Sequence, residues 1–220
     1  NDTILQQLAA EIPWFSNVTI FSKVKGLKAR KFYLEATAKL GWSRNILVIQ
    51  IESQAYERQI LASKQHNFEK TLPKHLAEQA DKTLKDIYML DFLGLTEPVI
   101  ERQIENQMVE EIKNVLLELG YGFAFLGSQY AIKANNTEYY IDLLFYHRHL
   151  KCLVAFELKS GKFKPEYAGK MNFYLNLLND FVRTKDENPS MGIVLCSDRN
   201  HLEVDYALSG IQSPIGVAKY

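Results

Sequence analysis

The sequence has only two cysteines among 220 residues, Cys152 and Cys196, and they lack the C-x-x-C spacing of a metal site. We expect both to be reduced thiols in the core rather than zinc ligands or a disulfide. No apolar run reaches the ~18 residues that a membrane-spanning helix needs. The first residues also lack the basic-then-apolar pattern of a secretion signal. We therefore expect a cytoplasmic protein that makes no contact with a membrane.

The chain also lacks an excess of charge, since 26 basic residues balance 26 acidic residues. Many DNA-binding domains are strongly basic, so this balance argues against extended non-specific binding. Phosphate-loop, dinucleotide-binding and nucleophile-elbow motifs are absent too, which leaves nucleotide-driven work and covalent serine catalysis unsupported. Positive charge is nevertheless concentrated locally, in Lys23, Lys25, Lys28, Arg30 and Lys31 and again in Lys159, Lys162, Lys164 and Lys170.

Two aromatic and branched runs, 139–146 and 152–158, are joined by a polar turn and predict a β-hairpin. Asp142 then lies on the first strand, with Glu157 on the second. Residues i and i+2 of a strand point to the same face, so Glu157 and Lys159 should project together. Two acids and one lysine are thus expected on one face of the hairpin.

Placing two carboxylates together in an apolar hairpin costs free energy, because the charges repel and each loses water. A hard divalent cation such as Mg²⁺ offsets that cost and takes oxygen ligands, often together with a substrate phosphate. It also activates a bound water, which is the chemistry of phosphodiester hydrolysis. Taken alone, Glu157 and Lys159 fit a charged strand edge or an ion pair better. Asp142 on the neighbouring strand favours a site.

These residues carry a family resemblance. Asp142, followed after fourteen residues by Glu157-Leu158-Lys159, resembles the D…E-x-K signature of the PD-(D/E)XK nuclease superfamily, although Ile141 stands where many members have proline. Nearly the whole chain is similar to the YhcG-type nucleases of that superfamily, and the similarity is carried by 41–58, 141–180, 186–196 and 206–220.

The resemblance implies a nuclease that uses Mg²⁺ or Mn²⁺ to hydrolyse DNA. Asp142, Glu157 and the carbonyl of Leu158 would hold the cation, and Lys159 would position the attacking water or help to deprotonate it. The alternative is a non-catalytic module that binds DNA or protein and retains the nuclease fold. The sequence does not distinguish duplex, branched and single-stranded substrates.

Further site residues are expected on flanking elements. The apolar stripe from 97 to 119 predicts one helix, with Glu101 and Glu105 on its apolar side. The resemblance implies that this helix adds an acid to the metal site, for which Glu105 is our candidate, with Glu101 in reserve. A salt bridge to a lysine in the other domain explains a helix-end acid equally well. The resemblance places polar contacts to the scissile phosphate on the helix that begins at Pro165. The candidates for substrate contact are Gln129, Lys162, Lys164, Lys170 and Tyr174.

The order of elements predicts an α/β fold, with a mixed central sheet flanked by helices, as in the restriction-endonuclease-like core. We place a domain boundary near Thr96, with a nuclease-like domain over 97–220. Residues 1–96 are expected to form a mainly helical domain, either a helix-turn-helix-like DNA binder or a dimerisation module. We predict a homodimer. Two further expectations concern local structure: a turn at 127–130, and a solvated or phosphate-facing loop containing His147 and His149.

Overall fold

The computed structural model describes residues 2–61, 64–95 and 99–220. The chain divides into two compact units, Asn1–Ala62 and Ser63–Tyr220. Within the described residues, no helix has the length and apolar character needed to cross a bilayer.

This division differs from the predicted boundary near Thr96. Gln65–His66 form a short strand that pairs with the last strand of the chain. Ile87 makes a further bridge to Lys219 of that last strand. These backbone pairings tie the segment before residue 96 to the sheet of the second unit. The capping motif on which the boundary was predicted, 96–98, lies outside the described residues.

The first unit consists of helices packed around the buried side chains of Ile20, Tyr33, Leu34 and Leu47. Pro13 immediately precedes the second helix, where its missing N–H costs nothing. The helices are α1 (Asp2–Ala10), α2 (Trp14–Lys23), α3 (Leu27–Leu40) and α4 (Arg44–Glu52).

The second unit contains six α-helices, a short 3-10 helix (Asp91–Leu93) and six strands in its described part. The helices are α5 (Phe68–Thr71), α6 (Lys74–Thr83), α7 (Glu101–Glu110), α8 (Ile112–Leu119), α9 (Pro165–Phe181) and α10 (His201–Leu208). The strands are β1 (Gln65–His66), β2 (Phe123–Ala134), β3 (Thr137–His147), β4 (Cys152–Leu158), β5 (Met191–Cys196) and β6 (Ile215–Lys219).

The strands form one mixed sheet in the order β1-β6-β5-β4-β3-β2, with helices on both faces. β4, β5 and β6 are parallel, and the other neighbours are antiparallel. One face packs against α7 and α8 through Phe145 and Phe156. The other packs against α9 and α10 through Ala155 and Val194. The predicted fold class is confirmed.

Both cysteines are buried and free, as expected. Burial raises the pKa of the Cys152 thiol to about 12 and that of Cys196 to about 11. Neither is therefore a reactive thiolate.

Two local predictions were wrong. The single helix over 97–119 is two helices, α7 and α8, separated at Glu111, whose φ of −95° and ψ of 26° interrupt the helical backbone. The turn at 127–130 lies inside the continuous strand β2, whose pairing with β3 shifts between Phe125 and Gly127. A bulge of this kind bends a strand without ending it, and the glycine and polar residues mimic a turn in the sequence.

His147 is not a solvated loop residue, because only 2% of it is exposed. Its Nε2 lies 3.1 Å from the carbonyl oxygen of Tyr121, and its Nδ1 accepts a hydrogen bond from the Leu150 N–H at 3.1 Å. This pair of contacts needs the neutral ring with its proton on Nε2. Burial accordingly lowers the pKa of His147 to about 4.

We expect His147 to make the protein sensitive to acid. Its folded-state pKa of about 4 lies below the ordinary 6.5, so its contribution is complete above 6.5 and is lost as pH falls towards 4. The difference in unfolding free energy between the wild type and His147→Gln should therefore shrink by about 3 kcal/mol over that window. Urea denaturation across this pH range measures the difference, and a constant difference would contradict the assignment.

Candidate active site

The centre of the candidate site is the point where β3 and β4 separate. Their last backbone pair is Leu143 with Phe156, and the same register would place Asp142 opposite Glu157. Instead of continuing the ladder, the Asp142 carboxylate oxygen Oδ2 accepts a hydrogen bond from the Leu158 N–H at 2.8 Å. The separation leaves room for side chains between the strand ends.

Glu157 is the most buried charged residue of the site, with 0% exposure. It alternates along β4 with Phe156 and Leu158, which pack on the α7 side, so it points towards α9. Its Oε1 lies 2.9 Å from the Lys159 ammonium and also contacts the Lys170 ammonium. Among the described residues, its other oxygen, Oε2, is buried and has no hydrogen-bond partner.

Lys159 is held from several sides and is only 8% exposed in its side chain. Its Nζ lies 2.9 Å from Glu101 Oε2, donates to the Leu158 carbonyl at 2.9 Å, and stands 5.2 Å from the centre of the Tyr167 ring. Burial alone would lower the pKa of Lys159, but its hydrogen bonds to Glu157 and Glu101 raise it above the ordinary value. These contacts hold the Lys159 ammonium as a cation beside Glu157.

The two carboxylates affect each other. Burial, and then the nearby charge of Glu157, raise the pKa of Asp142 to about 6. The hydrogen bond from Leu158 and the charges of Lys159 and Lys170 oppose this rise without cancelling it. The ionised pair is thus under electrostatic strain that an added positive charge would relieve.

The donor set fits a hard divalent cation. Glu157 Oε2 is a buried oxygen without a partner, and Asp142 beside it supplies a second carboxylate. No group of three or more His, Cys, Asp and Glu side chains arranged to hold a metal occurs in the part of the chain that the structure describes. Mg²⁺ commonly takes only one or two carboxylates and completes its shell with water and phosphate. Asp142, Glu157 and the Leu158 carbonyl would therefore suffice.

Lys170 reaches the centre from α9, as its predicted substrate role requires. Its ammonium contacts Glu157 and lies 5.3 Å from the centre of the Tyr174 ring. Burial alone would lower the pKa of Lys170, but the hydrogen bond to Glu157 raises it. Tyr174 itself is mostly buried against the core, and this burial raises its pKa. The Tyr174 ring lies next to the Lys170 ammonium.

The predicted acid Glu105 and the predicted substrate contact Gln129 bind each other. Gln129 Nε2 donates to Glu105 Oε2 at 2.6 Å. Burial raises the pKa of Glu105, although the Gln129 hydrogen bond opposes the rise. Gln129 has a left-handed φ of 45°, which is uncommon outside glycine. The acid that contacts the lysine is the reserve candidate, Glu101, one turn earlier on α7.

The other two predicted substrate contacts, Lys162 and Lys164, are exposed residues between β4 and α9. The side chain of Lys162 is 81% exposed, and its ammonium lies 3.8 Å from Asp198. The Glu157 carboxylate contacts the ammonium groups of Lys159 and Lys170 instead.

Sequence reasoning missed two aromatic residues around Lys159. Tyr167 places its ring beside the ammonium, and the hydroxyl of Tyr220 donates to the Lys159 carbonyl at 3.3 Å. The spacing of Tyr167, three residues before Lys170 on α9, could have indicated the first. No sequence signal connects Tyr220 to the site.

Comparison with known sequences shows the family to which the chain is similar. Residues 81–220 match the family described as the YhcG PDDEXK nuclease domain, and residues 1–58 match the DUF1016 N-terminal domain. A protein of Escherichia coli (strain K12) described as "Putative nuclease YhcG" is 35% identical over 224 residues, which cover 99% of this chain and 59% of that protein. This chain thus spans less than two thirds of that relative.

Solved structures show more distant similarity. A repair endonuclease from Pyrococcus abyssi has a TM-score of 0.40 and 14% identity, covering 57% of this chain and 49% of that one. The EndoMS–dsDNA2 complex has a TM-score of 0.38 and 16% identity, covering 52% and 42%. Similarity at this level does not define a shared substrate.

Proposed function

The chain belongs to the YhcG family of PD-(D/E)XK nucleases, and on this premise we propose that it hydrolyses phosphodiester bonds in DNA with Mg²⁺ or Mn²⁺. The observation that carries the proposal is the pair of carboxylates at the strand ends. Glu157 is fully buried, one of its oxygens has no partner within the part of the chain that the structure describes, and Asp142 beside it has a raised pKa. A fold that served only as a scaffold would gain nothing from this costly arrangement.

The proposed role of each residue in the site follows from its charge. A bound divalent cation would supply the positive charge that lowers the pKa of a water and steadies the phosphate. Asp142, Glu157 and the Leu158 carbonyl would hold it. The three donors of the protonated Lys159 contact Glu157, Glu101 and the Leu158 carbonyl. One of these contacts would be exchanged for a hydrogen bond to the attacking water or a phosphate oxygen, and the ammonium would stabilise the charge that develops in the transition state. Glu101 and Tyr167 keep the Lys159 ammonium in one position.

Substrate contacts extend from this centre along α9 and the loop before it. Lys170 would meet a phosphate next to the carboxylates, and Lys162 and Lys164 would bind the DNA backbone farther along. Such lysines would position the strand without reading its sequence. The Gln129–Glu105 pair would orient α7 and β2 beside the site. DNA binding or dimerisation by the first unit, and a homodimeric state, remain part of the proposal.

The test is a cleavage assay on duplex, branched and single-stranded DNA with Mg²⁺ or Mn²⁺. We expect cleavage by the wild type and none after chelation with EDTA. Lys113→Ala is the matched control, because Glu111-Ile112-Lys113 is a second acid-x-lysine sequence that lies at the start of α8. Cleavage should be retained in Lys113→Ala and lost in Asp142→Asn. Cleavage that persists in both Asp142→Asn and Lys159→Ala would refute the assignment, and cleavage of none of the substrates would favour a non-catalytic module.

A further inference from the structure

Glu157 carries two ammonium groups on one oxygen, and they are not equivalent. Lys159 is 8% exposed in its side chain and is also bound by Glu101 and by a backbone carbonyl. The side chain of Lys170 is 43% exposed and extends from α9. Of the two cations, only Lys170 has a side chain free to turn towards solvent without breaking a second ion pair among the described residues.

The balance of charges at the site indicates that a bound divalent cation would displace Lys170 from Glu157. Asp142, Glu157 and Glu101, when ionised, carry three negative charges, and Lys159 and Lys170 carry two positive charges. With a divalent cation added, Lys159 and the cation already balance the three carboxylates. The charge of Lys170 is then in excess. A cation on Glu157 Oε2 would also stand within a few ångströms of the Lys170 ammonium, since both oxygens share one carbon, and would repel it.

We propose that Lys170 holds the place of the divalent cation at Glu157, and that it leaves this carboxylate to bind the scissile phosphate when the cation binds. This inference rests on the proposed function, since it needs the same carboxylate pair to hold a metal. Lys170 would thus bind Glu157 first and the scissile phosphate afterwards. In the metal-free state Lys170 neutralises a buried carboxylate that would otherwise be costly. In the loaded state its charge meets the single negative charge of a phosphodiester.

The inference predicts that removing Lys170 changes two properties in opposite directions. In Lys170→Met the competing charge is gone, so calorimetry near neutral pH should show Mn²⁺ binding at least about tenfold more tightly than in the wild type. Cleavage at saturating metal should nevertheless be slower, with a higher KM for DNA. Lys170→Arg keeps the charge and should retain both wild-type properties in large part. Lys113→Met, which removes an exposed lysine from α8, should leave the Mn²⁺ affinity unchanged.

A second variant and a second measurement guard against misfolding. Lys170→Gln should repeat the effect of Lys170→Met, and saturating Mn²⁺ should raise the melting temperature of either variant more than that of the wild type. Unchanged or weaker Mn²⁺ binding in both variants overturns the inference. If the wild type binds Mn²⁺ and Asp142→Asn does not, the proposed function survives that result. If no protein in the series binds Mn²⁺, both proposals fail.

Discussion

Asparagine in place of Asp142 should abolish cleavage and, at the same time, make the metal-free protein more stable. The amide oxygen can still accept the Leu158 N–H, but it carries no charge beside Glu157. Burial and this like charge raise the pKa of Asp142 to about 6. Because one pKa unit corresponds to about 1.4 kcal/mol, removing the charge should stabilise the fold by about 3 kcal/mol near pH 8. Loss of a metal ligand should slow cleavage by about 10³-fold or more.

A gain in stability of the metal-free protein together with a loss of cleavage distinguishes a metal ligand from a structural residue. Thermal denaturation in EDTA measures the stability, and the nuclease assay measures the loss of cleavage. Addition of Mn²⁺ should raise the melting temperature of the wild type but not of Asp142→Asn. If Asp142→Asn destabilised the metal-free protein and weakened cleavage in proportion, Asp142 would be a structural residue. Asp198→Asn serves as the control, because Asp198 pairs only weakly with exposed Lys162.

Lys159→Met should lower both the rate of cleavage and the free energy of unfolding. The substitution leaves Glu157, which is 0% exposed, with Lys170 as its remaining cation. Breaking a buried ion pair typically costs several kcal/mol, and Lys170 retains part of the compensation, so we expect a loss of about 3 kcal/mol. Cleavage should fall by about 10²- to 10³-fold, because a positioned donor to the developing charge is lost.

Arginine separates the two roles of Lys159. Lys159→Arg keeps the charge and should restore most of the stability, as measured by urea denaturation. Its planar guanidinium cannot occupy the same point between Glu157, Glu101 and the Leu158 carbonyl, so cleavage should stay low. Full activity in Lys159→Arg together with full activity in Lys159→Met would show that this residue is only structural.

Much of the second unit follows from the pattern of its sequence. The run 152–158 predicts the second strand of the hairpin, and the structure confirms it with the expected limits as β4. β5 is an unbroken apolar run of buried residues, as is typical of a central strand. The edge of the sheet was less predictable. β1 has only two residues, and its pairing with β6 joins positions far apart in the chain. Such a short strand depends on its partner and not on its own sequence.

The centre of the candidate site was also predictable, because period-two alternation places Glu157 and Lys159 together. The roles of the acids on α7 were not. Glu101 and Glu105 lie on the same side of one helix, and their different partners depend on where Lys159 and Gln129 stand in three dimensions. His147 illustrates the same limit. A histidine beside a polar turn looks solvated in the sequence, whereas two backbone contacts bury it.

The central claim is that Asp142 and Glu157 jointly hold a divalent cation. A crystal structure of the full chain soaked in Mn²⁺, with anomalous diffraction to locate the metal, tests it most directly. We predict an anomalous peak bound by Asp142, Glu157 Oε2 and the Leu158 carbonyl, at oxygen distances near ~2.1 Å. The peak should be absent from crystals of Asp142→Asn. A wild-type structure in saturating Mn²⁺ without a peak between these carboxylates would contradict the account.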